Sequence, residues 1–275
     1  MVMWGTTFAV TKAAVREIPP FTLAVLRFGI ATLTFVPIVI ARGGFARLPR
    51  PLPVGPLLVM SLTGVAVFIA GFNLALGYGS AVQGSLIFAF GPAAVAIAAV
   101  LALKERVSRR RAIGILLSVG GVALVAAGGE ADTGSPNPVL GAICMLAAVV
   151  AWAIYTVVAK RLADADQIIV TACISALATL MLAPFAAMEL LKQPLAMPSA
   201  EAWLSIVYMG VIASALAYLL YNLALRVLDA SLVGALSNLD PIVGVITSVL
   251  FLGESLGGLQ VFGGLVALIG MWLAT

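Results

Sequence analysis

Long apolar runs alternate with short polar gaps from one end of the chain to the other. A helix of about 20 apolar residues is long enough to cross the hydrocarbon core of a bilayer. The pattern predicts ten such helices, at Met1–Val15, Phe21–Ala41, Pro53–Leu76, Ser80–Leu103, Ala112–Gly129, Pro138–Ala159, Gln167–Met188, Ala202–Leu225, Leu228–Leu252 and Leu256–Ala274. Because the gaps are short, neighbouring helices are expected to run antiparallel.

The second half of the chain repeats the first. "FNLALGY" at residues 72–78 matches "YNLALRV" at residues 221–227, and "ATLTFVP" at residues 31–37 matches "ATLMLAP" at residues 178–184. Further pairs recur in the same order at separations of 147 to 149 residues: Trp4 with Trp152, Lys12 with Lys160, Gly91-Pro92 with Asp240-Pro241, Glu105 with Glu254, Gly114 with Gly263, and Gly121 with Gly270. Chance similarity between apolar segments does not produce so many ordered matches.

Each copy contains five predicted helices. Because five is an odd number, the second copy enters the membrane in the opposite orientation to the first, and inverted repeats of this kind are typical of secondary transporters. We therefore predict an all-α membrane protein with ten transmembrane helices. Residues 1–130 form the first five-helix repeat, residues 137–275 form the second, and together they make one transport domain.

Composition and charge agree with this class. The chain is 63% apolar, only 9% charged and has a mean hydropathy of +1.19, whereas a soluble domain carries roughly 25% charged residues. Of the Lys and Arg residues, 11 lie beside even-numbered gaps and 3 beside odd-numbered gaps, which predicts that the even gaps and both termini are cytoplasmic. The net charge of +4 then reflects membrane topology. Since aromatic and basic residues do not alternate, no nucleic-acid partner is predicted.

The residues that usually carry enzyme chemistry are scarce. There is no histidine, and Cys144 and Cys173 lie in apolar runs outside any CxxC pair, so both are interpreted as small buried apolar residues. No metal site and no cofactor is predicted, and a membrane-embedded enzyme is disfavoured. The opening "MVMWGTTFAV" has neither the basic region nor the cleavage site of a signal peptide, so it is interpreted as part of the first spanning helix.

A family resemblance rests on "WGTTFAVTK" at residues 4–12, "PPFTLAVLRF" at residues 19–28, the helix-end Glu105 and the doubled layout. Together they resemble the drug/metabolite transporter superfamily, in particular its ten-helix EamA-type branch and, within it, the YddG-like exporters of aromatic amino acids. The resemblance implies export of small metabolites by alternating access across the bacterial inner (plasma) membrane. One position departs from the doubled pattern, because the second copy lacks a counterpart of Arg27 and carries Ser175 nearby.

Polar residues inside spanning helices are expected to face the bundle interior or a wet cavity. The eighth helix places hydroxyls, rings and an amide on one face, formed by Ser214, Tyr218, Tyr221, Asn222 and Leu225. Asn222 and its repeat partner Asn73 have two interpretations, a hydrogen bond between helices or a contact with substrate. Tyr78 ends the same motif in the first copy and is a further candidate for the cavity.

Aromatic residues and prolines mark the middle of other helices. Trp4 and Trp152 are either anchors at the membrane interface or walls of an aromatic cavity, and Tyr155 on the adjoining face of the sixth helix favours a cavity. Pro92 and Pro241 are either kinks that only shape their helices or hinges that offer freed carbonyls to a substrate. The other candidate cavity residues near these prolines are Gln83, Ser85, Phe88, Phe90, Ser237 and Asn238.

The few charged residues within or beside the helices also have two interpretations each. Asp240, predicted near the midplane, is either inert, being protonated or capped by a hydroxyl, or the group that couples transport to protons. Glu105 and Glu254, at helix ends on opposite sides of the membrane, form either helix-end ion pairs or a gate. Lys12 and Lys160 are expected to extend to the interface, and the deeper Arg27 to pair within the bundle.

These patterns favour a secondary transporter with a central cavity between the repeats. The function that the resemblance implies is export of amino acids, aromatic or neutral ones above all. The alternatives are efflux of cationic drugs, uptake of another small solute, a pore, or a membrane scaffold subunit. A small-molecule substrate and the lipid bilayer are the expected partners, and a monomer is expected because the two repeats already enclose a pathway.

Overall fold

All regular structure in the described residues is helical. The computed structural model describes residues 1–44, 53–103, 108–127, 135–228 and 239–274. The first half contains α1 (Val2–Gly5), α2 (Thr7–Ala14), α3 (Pro20–Ala41), α4 (Val54–Ser61), α5 (Phe68–Tyr78), α6 (Ala81–Phe88), α7 (Gly91–Leu103) and α8 (Arg109–Ala127). The second half contains α9 (Pro138–Arg161), α10 (Gln167–Lys192), α11 (Ala200–Val207), α12 (Ala217–Val227), α13 (Leu239–Leu252) and α14 (Gly258–Ala274).

Several helices have the length and composition of membrane spans. Five continuous helical stretches are long and apolar enough to cross a bilayer, at Pro20–Ala41, Val54–Tyr78, Pro138–Arg161, Gln167–Lys192 and Ala200–Val227. Their outward faces carry large apolar side chains, such as those of Leu33, Leu180 and Leu204, which are well exposed at the surface of the protein. Such an apolar exterior suits lipid, and the prediction of an all-helical membrane protein is confirmed at this level.

Two of these stretches contain a π-helical segment. Leu62–Val67 joins α4 to α5, and Tyr208–Leu216 joins α11 to α12. The two segments end at residues that are equivalent in the sequence repeat, 149 positions apart. A π-turn is wider than an α-turn and occurs frequently at functional sites. Each segment contains a glycine whose missing side chain leaves room for a residue of another helix. The ring of Tyr155 occupies that space at Gly64, and the side chain of Ile30 occupies it at Gly210.

Polar side chains start several helices by accepting hydrogen bonds from free backbone amides of the first turn. Ser80 begins α6 with a 3.0 Å bond from the Gln83 amide, and Asn137 begins α9 with a 3.0 Å bond from the Leu140 amide. Ser199 begins α11 in the same way, with a 3.1 Å bond from the amide of Ala202. These residues stand in the short polar gaps of the sequence, so the gaps both end one helix and start the next.

The antiparallel pair α8 and α14 packs backbone against backbone through glycines. A Cβ at Gly121 would stand 2.6 Å from the Gly263 carbonyl oxygen, and a Cβ at Gly270 would stand 2.6 Å from the Gly114 carbonyl oxygen. Ser118 adds a hydrogen bond of 3.0 Å from its hydroxyl to the Ala267 carbonyl. Small residues allow helices in a membrane to approach closely, which strengthens the dispersion contacts between them. These contacts matter because the hydrophobic effect does not drive helices together within lipid.

The described helices differ in two places from those predicted, and a third stretch lies partly outside the described residues. The predicted span Ser80–Leu103 is broken at Ala89–Phe90, so Pro92 lies in the first turn of α7, where its missing N–H costs nothing, rather than in a kinked continuous helix. The first helix is divided at Thr6 into α1 and α2. The start of the predicted span Leu228–Leu252 falls partly on residues 229–238, outside the described residues, as do the candidates Ser237, Asn238 and Glu105.

Candidate functional site

A cavity lies where the helices of the two halves meet. Its cavity volume is about 40 Å³, so the lining side chains nearly fill it in this structure. Its lining is mainly aromatic and aliphatic and comprises Trp4, Thr7, Phe8, Arg27, Phe68, Ile69, Phe72, Phe88, Ala89, Gly91, Pro92, Val95, Trp152, Thr156, Tyr221, Asp240, Pro241 and Met271. A concave, mostly apolar site with a few polar groups is the usual form of a small-molecule binding site.

Aromatic rings from four helices form one continuous wall of this cavity. Trp4 of α1 lies 5.3 Å from Trp152 of α9 and 5.3 Å from Tyr221 of α12, measured between ring centroids. Phe68 of α5 lies 5.0 Å from Trp152. The Trp4 indole N–H donates a 2.8 Å hydrogen bond to the Ala213 carbonyl in the second π-helical segment. The structure thus places both predicted tryptophans inside the bundle rather than at its lipid-facing surface.

Behind this wall, a network of hydrogen bonds holds the rings. The Tyr155 hydroxyl donates to Asn222 Oδ1 at 2.8 Å, and Asn222 Nδ2 donates to the Thr171 hydroxyl at 3.1 Å. The Tyr218 hydroxyl donates to the Gly64 carbonyl in the first π-helical segment at 2.7 Å. Asn222 therefore joins α9, α10 and α12, which corresponds to the interhelical interpretation of this residue. A fully bonded buried amide and phenol restrain the rings in front of them.

Several candidates from the sequence are absent from the cavity lining, namely Tyr155, Ser214, Tyr218 and Asn222 behind the wall, and Asn73, Tyr78, Gln83 and Ser85 elsewhere. Asn73 is buried and donates a 2.9 Å hydrogen bond to the Pro20 carbonyl, so it too joins two helices. Gln83 and Ser85 are buried on α6, where the Ser85 hydroxyl bonds to the Ala81 carbonyl of its own helix. Tyr78 is 36% exposed at the end of α5. Periodicity showed that these residues face inward, but not which inward surface they join.

Two buried charged residues reach the cavity and do not form an ion pair with each other. Arg27 is 2% exposed and donates through Nε to the Ser214 hydroxyl at 2.6 Å. Asp240 is 1% exposed, and its buried Oδ1 has no hydrogen-bond partner. Among the described residues, the ion pair that forms is Arg42 with Asp166 at 3.8 Å, so neither Arg27 nor Asp240 is neutralised by a described side chain.

The sequence reasoning missed part of the lining. Thr7 and Phe8 on the first helix, Phe68 and Phe72 on α5, and Thr156 on α9 reach the cavity. A signal for three of them was present, because Thr7 and Phe8 follow Trp4 by one helical turn and Thr156 follows Trp152 by one turn. The repeat gave a further signal, because Phe72 is the repeat partner of the candidate Tyr221, whereas nothing in the sequence distinguished Phe68 from other apolar residues of the third predicted helix.

Two buried charged side chains hold the turn between α5 and α6. Lys12 is only 7% exposed and donates from Nζ to the Gly79 carbonyl at 2.6 Å, so its ammonium group ends on this turn rather than in open solvent. Glu254 accepts from the amides of Ala81 at 3.0 Å and Val82 at 2.8 Å. The carboxylate thus meets the positive end of the α6 dipole. In the second copy, Lys160 donates to the Leu225 carbonyl at 2.8 Å and to the carbonyl of Leu228, the repeat partner of Gly79, at 3.4 Å.

Two further carboxylates bind backbone amides at the start of helices. Glu189, at the end of α10, accepts from the amides of Phe21 at 3.1 Å and Thr22 at 2.7 Å in the first turn of α3. Glu17, in the gap after α2, accepts from the Ser199 amide at 2.8 Å. The backbone hydrogen bond from Ser199, followed by that from its hydroxyl, lowers the pKa of Glu17 below its ordinary value. These contacts connect the two halves of the chain outside the cavity.

Replacing Glu254 with alanine is expected to destabilise the protein by about 2–3 kcal/mol, because it leaves two buried backbone amides without an acceptor. Glu254→Gln keeps one acceptor oxygen and is expected to lose less. The measurement is the thermal unfolding midpoint of the detergent-solubilised protein, with Glu201→Ala, at an exposed position on α11, as the control. An unchanged midpoint for Glu254→Ala would show that the turn does not depend on this carboxylate.

Comparison with known proteins finds relatives along the whole chain. The model of the EamA-like transporter family matches residues 1–127 and again residues 139–275. An "Uncharacterized transporter" of Archaeoglobus fulgidus is 29% identical over 276 residues, covering 100% of this chain and 94% of that protein. A "Probable amino-acid metabolite efflux pump" of Salmonella typhimurium is 27% identical, covering 99% and 91%.

A named exporter and a solved structure are also similar. The "Aromatic amino acid exporter YddG" of Ancylobacter novellus is 24% identical, covering 90% of this chain and 84% of that protein. One crystal structure superposes with a TM-score of 0.68 at 22% identity, covering 100% of this chain and 93% of the other. At that identity the superposition supports the fold and carries no information on substrate.

Proposed function

The chain belongs to the EamA-like transporter family of the drug/metabolite transporter superfamily, and we propose that it is a secondary transporter that exports neutral amino acids, aromatic ones in particular, from the cytoplasm. The observation that carries the proposal is the cavity walled by Trp4, Trp152 and Tyr221, which come from both halves of the chain. An aromatic wall offers offset and edge-to-face contacts to an apolar or aromatic solute. The names of the relatives from Salmonella and Ancylobacter support the same substrate class.

We further propose that ten transmembrane helices form two inverted five-helix repeats, residues 1–130 and 137–275. The glycine contacts between α8 and α14 support this arrangement, because Gly114 is the repeat partner of Gly263 and Gly121 that of Gly270. In the structure Gly121 meets Gly263, and Gly270 meets Gly114. Reciprocal contact between equivalent positions is what a two-fold axis between the copies produces. The family model, which matches once in each half, is also in keeping with a duplication.

The contacts outside the cavity support alternating access with one side closed. In the topology predicted from the basic residues, with both termini cytoplasmic, the α5–α6 turn, Glu189 and Glu17 all lie on the extracytoplasmic side. Their hydrogen bonds join helices of the two halves there. We propose that this side is closed in the structure and that transport requires these contacts to break as one repeat rocks against the other.

Counterflow in proteoliposomes tests the proposed substrate class. Vesicles loaded with unlabelled neutral amino acids are expected to accumulate radiolabelled phenylalanine and leucine but not lysine, because the cavity lining contains a single carboxylate, that of Asp240, and a second buried ammonium group would have no anionic partner. Protein-free vesicles give the background, and mutual competition between the substrates with saturation separates a carrier from a pore. Absence of exchange for both neutral amino acids would contradict the proposal.

A second candidate function is efflux of a monovalent cation with an aromatic body, and the observation that favours it is the unpartnered Asp240 carboxylate in the cavity. A labelled lipophilic drug cation in the same assay distinguishes the two. Exchange of that cation without exchange of phenylalanine, abolished in Asp240→Asn, would replace amino-acid export by drug efflux.

A further inference from the structure

We propose that the cavity binds its substrate as a zwitterion, with Arg27 holding the carboxylate, Asp240 holding the ammonium group and the aromatic wall holding the apolar side chain. This inference rests on the proposed function and names the chemistry by which the same site selects among small solutes. It assigns a specificity role to two buried charged residues that line the same cavity and do not form an ion pair with each other.

Arg27 has unused hydrogen-bonding capacity. A guanidinium carries five N–H donors in a planar fork that matches a carboxylate in two parallel bonds. In the described residues its side-chain hydrogen bond uses Nε, which donates to Ser214 at 2.6 Å, while the guanidinium carbon lies 5.6 Å from the centre of the Phe28 ring. The bond to Ser214 orients the guanidinium group of Arg27. The two terminal nitrogens of that group are left to bind an anion in the cavity that Arg27 lines.

Asp240 has unused accepting capacity in the same cavity. Its Oδ1 is buried and has no hydrogen-bond partner, although Asp240 is one of the lining residues. A carboxylate that lies in an apolar site without a cation is costly, and an ammonium group supplies both the charge and the N–H donors that it lacks. Arg27 and Asp240 do not satisfy each other, since they do not form an ion pair.

Trp4 and the next residue, Gly5, contact backbone atoms close to both charged residues. The Trp4 indole N–H binds the Ala213 carbonyl, one residue before the Ser214 that orients Arg27. The next residue, Gly5, packs so closely on α13 that an added Cβ would stand 2.9 Å from the Asp240 carbonyl oxygen. Trp4, Arg27 and Asp240 all line the same cavity, so a solute needs an anionic end, a cationic end and an apolar body to satisfy all three.

The two charges also break the symmetry of the repeats. Asp240 is matched by Gly91 in the first copy, and Arg27 has no arginine counterpart in the second copy, where Ser175 lies nearby. Rings that occur in both copies, such as Trp4 and Trp152, accept an apolar body in either direction. Charges that occur once each fix a single orientation of the bound zwitterion.

The test compares four compounds with the same ring as competitors of labelled phenylalanine in counterflow: phenylalanine, its methyl ester, phenylethylamine and 3-phenylpropionate. In the unmodified protein, phenylalanine is expected to compete at least about tenfold better than the other three, because each of these leaves one buried charge unpaired. Arg27→Gln is expected to remove the advantage of phenylalanine over phenylethylamine and over the ester. Asp240→Asn is expected to remove its advantage over 3-phenylpropionate.

Arg42→Gln, which removes an exposed arginine outside the cavity, is the matched control and is expected to keep the full selectivity. If Arg27→Gln does not yield a monodisperse protein, Arg27→Lys keeps the charge without the fork and is expected to weaken competition by phenylalanine while binding of phenylethylamine is unchanged. Exchange of phenylalanine with unaltered selectivity in both cavity variants would overturn this inference and leave the proposed function intact. Absence of phenylalanine exchange by the unmodified protein would remove both.

Discussion

Replacing Gly121 with valine is expected to reduce the yield of folded protein severely. A Cβ at this position would meet the backbone nitrogen of Ala267 and stand 2.6 Å from the Gly263 carbonyl oxygen. Because these atoms belong to the backbone of α14, no side-chain rotation relieves the contact, and the helices must separate along their whole interface. We expect a loss of about 3 kcal/mol or more, at the upper end for overpacked sites. The measurement is the yield of monodisperse protein in detergent and its thermal unfolding midpoint.

The adjacent residue supplies the control. Gly120 lies on the exposed side of α8, and a Cβ there would have no neighbour within 4 Å. Gly120→Val therefore carries the same change in helix propensity and hydrophobicity without the contact, and is expected to fold with a nearly unchanged midpoint. Equal yields of the two variants would show that α8 and α14 tolerate separation and that the glycine contact is not what holds them.

Replacing Trp152 with alanine is expected to abolish most transport. Its ring lies 4.8 Å from Tyr155, 5.1 Å from Tyr221 and 5.3 Å from Trp4, so its removal takes away the centre of the aromatic wall. Loss of a buried tryptophan costs about 3–5 kcal/mol of stability. We expect the rate of phenylalanine counterflow per folded molecule to fall by at least about tenfold, since an apolar solute loses its largest contact surface.

Two further variants separate transport from stability. Trp152→Phe keeps a ring at the same place and is expected to retain part of the exchange. Trp203→Ala removes a tryptophan from the partly exposed face of α11, away from the cavity, and is expected to transport normally. Vesicles are compared at equal amounts of protein that elutes as a single species. Undiminished phenylalanine exchange by Trp152→Ala would show that substrate does not contact this wall.

The membrane class and the inward faces of the helices could be predicted from the sequence because both depend on local patterns. A run of about 20 apolar residues indicates a span whatever surrounds it, and Ser214, Tyr218 and Asn222 recur at helical spacing on one side of the helix and are all buried. The break at Ala89–Phe90 was not predictable in this way, because a proline permits either a kink or a new helix start, and the neighbouring helices decide between them.

Which inward residues face the cavity depends on the packing of different helices and could not be predicted. Asn73 and Trp4 both occupy repeated motifs, yet Asn73 bonds to the Pro20 carbonyl and Trp4 lines the cavity. The periodicity of its own helix did not show that the Lys12 ammonium group would bond at 2.6 Å to the Gly79 carbonyl, in the turn between α5 and α6. Partners of this kind, distant in sequence, leave no local signature.

The π-helical segment at Tyr208–Leu216 makes chain length, rather than residue identity, a determinant of the cavity. In an α-helix each residue advances the direction of its neighbours by about 100°. A π-helical turn absorbs an extra residue, so α12, including Tyr218 and Tyr221, keeps the direction that a regular α-helix one residue shorter would give it. Deletion of one residue in this segment would therefore leave that face in place but remove the wide turn, in which the Ala213 carbonyl receives the Trp4 indole N–H. Among homologous chains, a one-residue gap inside this helix would thus mark the loss of this support for Trp4, although an alignment would show no substitution at the site.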